Sequence, residues 1–132
     1  MSKYSEKSNY VKSIKYANKG LRAALKSQKN FRFQLFFSVL VIIAAILLDF
    51  NMIEMCLVVF AIGMVLVAEL FNSVIEFALD ALYHNKRNTL VGLAKDMSAG
   101  AVLIATCTAA IIGTILFSNR IFDLIVPGYF WF

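Results

Sequence analysis

The sequence predicts an all-α integral membrane protein, with one amphipathic helix at the bilayer surface followed by three transmembrane helices in a single domain, 1–132. Three observations carry that reading. Hydrophobic residues make up 61% of the 132 residues and charged residues only 16%, a balance far from that of a soluble surface. The runs 33–48, 55–67 and 97–119 carry no charge at all. Nine of the thirteen Lys and Arg residues precede residue 33, beside the first of these runs. A formal charge of +5 distributed in this way suits anionic headgroups or a nucleotide's phosphates better than nucleic acid, which is not expected as a partner.

The N-terminal stretch is long, basic and polar, with no short apolar segment and small-residue cleavage site, so no removable signal is expected. Over 10–29, Val11, Ile14, Ala17, Leu21, Ala24 and Leu25 recur at helical steps, while Lys12, Lys15, Lys19, Arg22, Lys26 and Lys29 fill other positions. Such a helix lies in the headgroup plane with its basic side chains reaching water. Gly20 weakens the pattern and is read as a point of close approach by backbone or ligand.

The first span is placed at 33–50, with Arg32 snorkelling and Phe50 entering to make up the length a bilayer core requires. The connection 49–54 contains Asp49 and Glu54 and no cation, so the positive-inside rule puts it outside and the N-terminus in the cytoplasm. The second span, 55–80, has no Pro or Gly after Gly63 and should run as one helix. The polar segment 83–89 has the positive charge expected of a cytoplasmic turn, and its His84 is read as a solvated residue.

The third span, within 91–119, is dense in Ala, Gly, Ser and Thr, which permit close helix contact. Residues 129–132, Tyr-Phe-Trp-Phe, read as an interfacial aromatic patch. Cys56 and Cys107 lie in apolar runs and are read as packing residues rather than a disulfide, metal site or nucleophile.

The functional expectation rests on the second span. Glu69, Asn72, Glu76 and Asp80 fall at i, i+3, i+7 and i+11, so a continuous helix presents them as one polar stripe. Ionisable groups within an apolar span face protein or water and serve chemistry or transport. Lys95 and Asp96 open the third span at the same level. Carboxylates that hold Mg²⁺, a lysine that neutralises phosphate charge and a carboxylate that takes the proton of an attacking alcohol together suit phosphoryl transfer from a nucleotide. No glycine-rich phosphate loop is present, so side chains and the 83–88 loop would hold the phosphates. Three helices hardly enclose a site alone, and more than one copy is expected.

Two other readings compete. A small oligomeric transporter or proton-conducting subunit also uses intramembrane carboxylates, although such sites sit at the midplane between broken helices. Alternatively, the polar residues serve only as hydrogen bonds between helices, worth about 0.6 kcal/mol each.

The residues Glu69-Leu70-Phe71-Asn72-Ser73-Val74-Ile75-Glu76, followed by Ala94-Lys95-Asp96-Met97-Ser98-Ala99-Gly100, resemble the signature of the prokaryotic diacylglycerol kinase and undecaprenol kinase family. The likeness extends through 16–22 and Asn30-Phe31-Arg32, nearly the whole chain apart from its two tails. The resemblance implies a homotrimeric, multi-pass enzyme of the bacterial inner membrane that uses ATP and Mg²⁺ to phosphorylate the hydroxyl of a lipid alcohol, at sites shared between subunits. By matching position it implies Glu69 as general base, Glu76 as metal ligand, and Tyr16, Asn72, Glu76, Lys95 and Asp96 as nucleotide or active-site contacts. Gln28 stands where the family places a second, acidic metal ligand, which implies weaker metal binding and possible catalytic weakening. Gly100 and the spacing from Glu76 to Lys95 look more like the undecaprenol-preferring members than the diacylglycerol-preferring ones.

Overall fold

A computed structural model describes residues 3–83 and 88–126, of residues 3–8 the backbone alone. The expectations for the 84–87 turn, including His84, and for the aromatic tail lie outside the described residues. All the regular structure among the described residues is helical: α1 (Lys3–Ser27), α2 (Lys29–Leu47), α3 (Met52–Tyr83) and α4 (Thr89–Ile125). The last three are each long and apolar enough to cross a membrane. α3 packs most extensively along α4 and less along α2, and α1 touches α2 at their junction.

One extended residue separates α1 from α2. Gln28 has φ −101° and ψ 110°, and its side chain makes no capping hydrogen bond. Arg32 instead reaches back across the junction, its Nη1 donating to the carbonyl oxygens of Leu25 and Lys26 at 3.1 Å each. These are carbonyls that a helix end leaves without intrahelical partners. Of the apolar side chains of α1, Val11, Ile14 and Tyr16 are exposed within this chain, and Ala24 near the junction is buried. An added Cβ at Gly20 would meet nothing within 4 Å among the described residues of this chain.

α2 ends at Leu47, three residues before the expected span does, and the reason is local. Asp49 takes φ 55°, a left-handed conformation that Asp tolerates better than most residues. The amide of Phe50 then bonds the carbonyl of Ala45, and that of Asp49 the carbonyl of Ile46, closing a Schellman turn. Asn51 starts α3 at once. Its Oδ1 accepts from the amides of Ile53 and Glu54, while Glu54 Oε2 accepts from the Asn51 amide, a capping box in which each side chain satisfies the other's backbone.

The apolar core sits at this connection end. Ala45, Phe50 and Val58 are buried, with Val41, Leu48, Met55, Ile62, Leu116 and Phe117 packed around them, and the Phe50 and Phe117 rings lie 4.8 Å apart. Arg120 on α4 ties it down, donating to Glu54 Oε2 at 2.9 Å and to the Asp49 carbonyl at 2.8 Å. Toward the other end the buried residues become polar: Glu69, Asn72, Ser73 and Ser98.

Candidate active site

α3 runs without a break through Glu69, Asn72, Glu76 and Asp80, so the expected stripe forms along one helix face. It lies where α2 and α4 both flank α3, at the end remote from the 48–51 connection, about 16 Å of helix beyond Val58. Each member acquires a partner. Glu69 is 2% exposed, and Gln34 on α2 donates from Nε2 to its Oε2 at 3.1 Å. One turn further, the Asn72 Oδ1 accepts from Ser98 Oγ of α4 at 2.6 Å, and its Nδ2 faces Glu76 Oε1 at 3.4 Å. At the end of the stripe Lys95 Nζ pairs with Asp80 Oδ1 at 2.5 Å.

The local sequence explains why these contacts can form. Ser73 returns its hydroxyl to the Glu69 carbonyl, and Ser98 reaches both Asn72 and the carbonyl of Lys95, so small residues on facing turns let α3 and α4 approach closely here. Asn88 caps α4 by accepting from the amide of Leu90, which fixes the start of the helix that carries Lys95 and Ser98.

Gln34 and Ser98 are two polar partners that the sequence did not single out. Ser98 stood among the small residues of an apolar run, and Gln34 among phenylalanines. An unusual polar residue in a span is the one signal that marks Gln34 in advance. Three expected residues do not join the cluster within this chain. Tyr16 is 69% exposed on α1, Asp96 is exposed beside Lys95, and Gln28 sits at the α1–α2 junction, none with a hydrogen bond to the stripe among the described residues.

From Gln34 an apolar groove runs along α2, α3 and α4 toward the connection end, with a volume of about 430 Å³; Phe37, Val41, Ala61, Val65, Ala109 and Phe117 line it. One polar end and a long apolar body match an amphiphile.

The donor set can be tested against a divalent cation. Among the described residues no three His, Cys, Asp or Glu side chains converge to cage a metal. Glu76 is half-buried with one carboxylate oxygen in the long contact to Asn72, and Gln28 is half-buried without a capping bond. No hydrogen bond joins Gln28 to Glu76 among the described residues, and Glu76 by itself fits an ion that keeps water and phosphate oxygens in its shell and takes one carboxylate from protein, as Mg²⁺ does.

A family model described as prokaryotic diacylglycerol kinase matches residues 15–117. The chain is 35% identical over 118 residues to a diacylglycerol kinase of Synechocystis sp., covering 89% of this chain and 67% of that one. It is 33% identical to a diacylglycerol kinase of Haemophilus influenzae, with 89% and 99% covered, and 31% identical to an undecaprenol kinase of Bacillus subtilis, with 89% and 94% covered. Neither the family match nor these relatives supports a transporter, a proton-conducting subunit or a catalytically weakened member.

Proposed function

This chain belongs to the prokaryotic diacylglycerol kinase family and is a lipid kinase of multi-pass membrane architecture, and on that footing we propose that it moves the γ-phosphoryl group of ATP to the primary hydroxyl of a membrane lipid alcohol, undecaprenol ahead of diacylglycerol. The observation that carries the proposal is the continuous row of polar contacts, Gln34–Glu69, Ser98–Asn72–Glu76 and Lys95–Asp80, at one end of three apolar helices.

In this reading Glu69 is the base. The acceptor O–H gives its proton to the Glu69 carboxylate as the alcohol oxygen bonds the γ-phosphorus, the bond from that phosphorus to the bridging oxygen breaks, and ADP leaves. Lys95, held by Asp80, offsets charge on the transferred group. Asn72, fixed by Ser98, and Glu76 position the nucleotide. Glu76, and the Gln28 amide oxygen if brought to it, would hold magnesium, whose chemistry there would be neutralisation of phosphate charge. The apolar groove receives the hydrocarbon of the acceptor, which brings its hydroxyl to Gln34 and Glu69.

We assign the remaining contacts to neighbouring copies in a homotrimer of the inner membrane, with the N-terminus and the polar stripe cytoplasmic. Two features support this. Only six hydrophobic side chains are buried among the described residues, although 61% of the chain is hydrophobic. Tyr16 and Asp96 also lack partners that one chain can give them among its described residues. α1, basic and with its apolar side uncovered, then lies in the headgroup plane. For the acceptor, Gly100 and the Glu76–Lys95 spacing favour undecaprenol, while identity alone favours neither relative's substrate.

The test is direct. Protein purified into lipid vesicles with γ-labelled ATP is offered undecaprenol and diacylglycerol side by side; label in the extracted lipid, faster with undecaprenol, is expected. Absence of label from both sinks the proposal, and faster labelling of diacylglycerol reverses the acceptor assignment.

A further inference from the structure

Gln34 is the one side chain of α2 that reaches the polar stripe, and its contact falls on the group proposed as base. The Glu69 carboxylate is buried, and among the described residues Gln34 Nε2 provides its hydrogen bond, to Oε2 at 3.1 Å. A glutamate has three rotatable side-chain bonds. Left free, its carboxylate would present either oxygen in many directions, and a general base must present one oxygen in the direction of one proton. An amide suits the task of holding it: a primary amide donates strongly, carries no charge and takes no proton at neutral pH, so it orients the carboxylate without competing for the alcohol's proton.

Gln34 lines the polar end of the apolar groove between the three spans, and its amide Oε1 is buried with no partner among the described residues, so Glu69 is the one group that its side chain bonds there. Its attachment to α2 also means that the carboxylate is fixed relative to the groove rather than only to its own helix.

We propose that Gln34 is a positioning residue for the transfer, holding Oε2 of Glu69 so that Oε1 faces the acceptor hydroxyl at the head of the groove. The inference rests on the reading of Glu69 as base and concerns how that base is aimed.

The experiment is a double-mutant cycle on the full chain in lipid vesicles, read by labelled phosphate transfer. Gln34→Met is close in volume, suits an apolar span and lacks the donor. It is expected to lower kcat about tenfold or more while leaving KM for ATP unchanged, the size of a hydrogen bond to a charged group. In a Glu69→Asp background, where the shortened acid no longer meets the amide, the same substitution should cost less than about twofold further. Gln34→Asn, which keeps the amide and shortens its reach, should lower kcat as Gln34→Met does.

Full activity in either single variant overturns the proposal, as does an equal loss from Gln34→Met in both backgrounds, since Gln34 would then act independently of Glu69. Failure of the underlying reading looks different. It shows as a wild-type protein that transfers no label, or as full activity in Glu69→Gln, whereas failure of this inference leaves activity and its dependence on Glu69 intact.

Discussion

At the connection end, Phe50 packs on Phe117, Asp49 turns the chain in a left-handed conformation, and Arg120 grips both Glu54 and the Asp49 carbonyl. At the opposite end, Glu69, Asn72, Ser73 and Ser98 are buried, while Tyr16 and Asp96 stand exposed. One end satisfies itself with residues of this chain, through an apolar core and a complete capping box. The other gathers polar groups that a membrane span would otherwise shed, and leaves them partly open. Burying a carboxylate or an amide among apolar helices costs free energy unless it is bonded, so the second arrangement is explained by chemistry more readily than by stability.

The contrast predicts that substitutions at the two ends fail in different assays. The largest effect is expected from Lys95→Met, which should reduce kcat/KM about a hundredfold by removing charge stabilisation from the transferred group. It should scarcely move the unfolding midpoint, because an ion pair as open as Lys95–Asp80 contributes only about 0–1 kcal/mol. A thermal shift in detergent beside a steady-state assay separates the two.

Arg120→Met should do the reverse. It strips partners from the half-buried Glu54 and from the Asp49 carbonyl, so stability should fall by roughly 1–3 kcal/mol while the folded fraction keeps its kcat/KM. A catalytic loss with unchanged stability would erase the distinction between the ends.

The smallest change expected is a gain. Gln28→Glu would add a second negative charge to the metal shell proposed on Glu76, and should lower the Mg²⁺ concentration for half-maximal activity several-fold. An unchanged requirement would remove Gln28 from that shell.

The features readable from sequence were those that depend on one helix at a time. Charge-free runs marked the three membrane-length helices, and the absence of Pro or Gly after Gly63 carried α3 through its stripe. What could not be read depends on how two helices rotate against each other. Gln34 meets Glu69 across 35 positions of chain and Arg120 meets Glu54 across 66, and no periodicity fixes such pairings. The Asn51–Glu54 capping box was present as a pattern, yet Glu54 together with Asp49 read as an outward-facing acidic loop, so topology took precedence over helix capping. Gly20 belongs to the same class: no described residue of this chain lies within 4 Å of an added Cβ there, and what a ligand or a second copy places beside it is not written in the pattern of one helix.

The measurement that bears most directly on the account is transfer of label from ATP to extracted lipid by Glu69→Gln, beside wild type, with the oligomeric state of both followed in the same detergent. A drop of about 10²–10⁴-fold, the usual worth of a general base, with the oligomer unchanged is the expected result. Undiminished transfer by Glu69→Gln would contradict it.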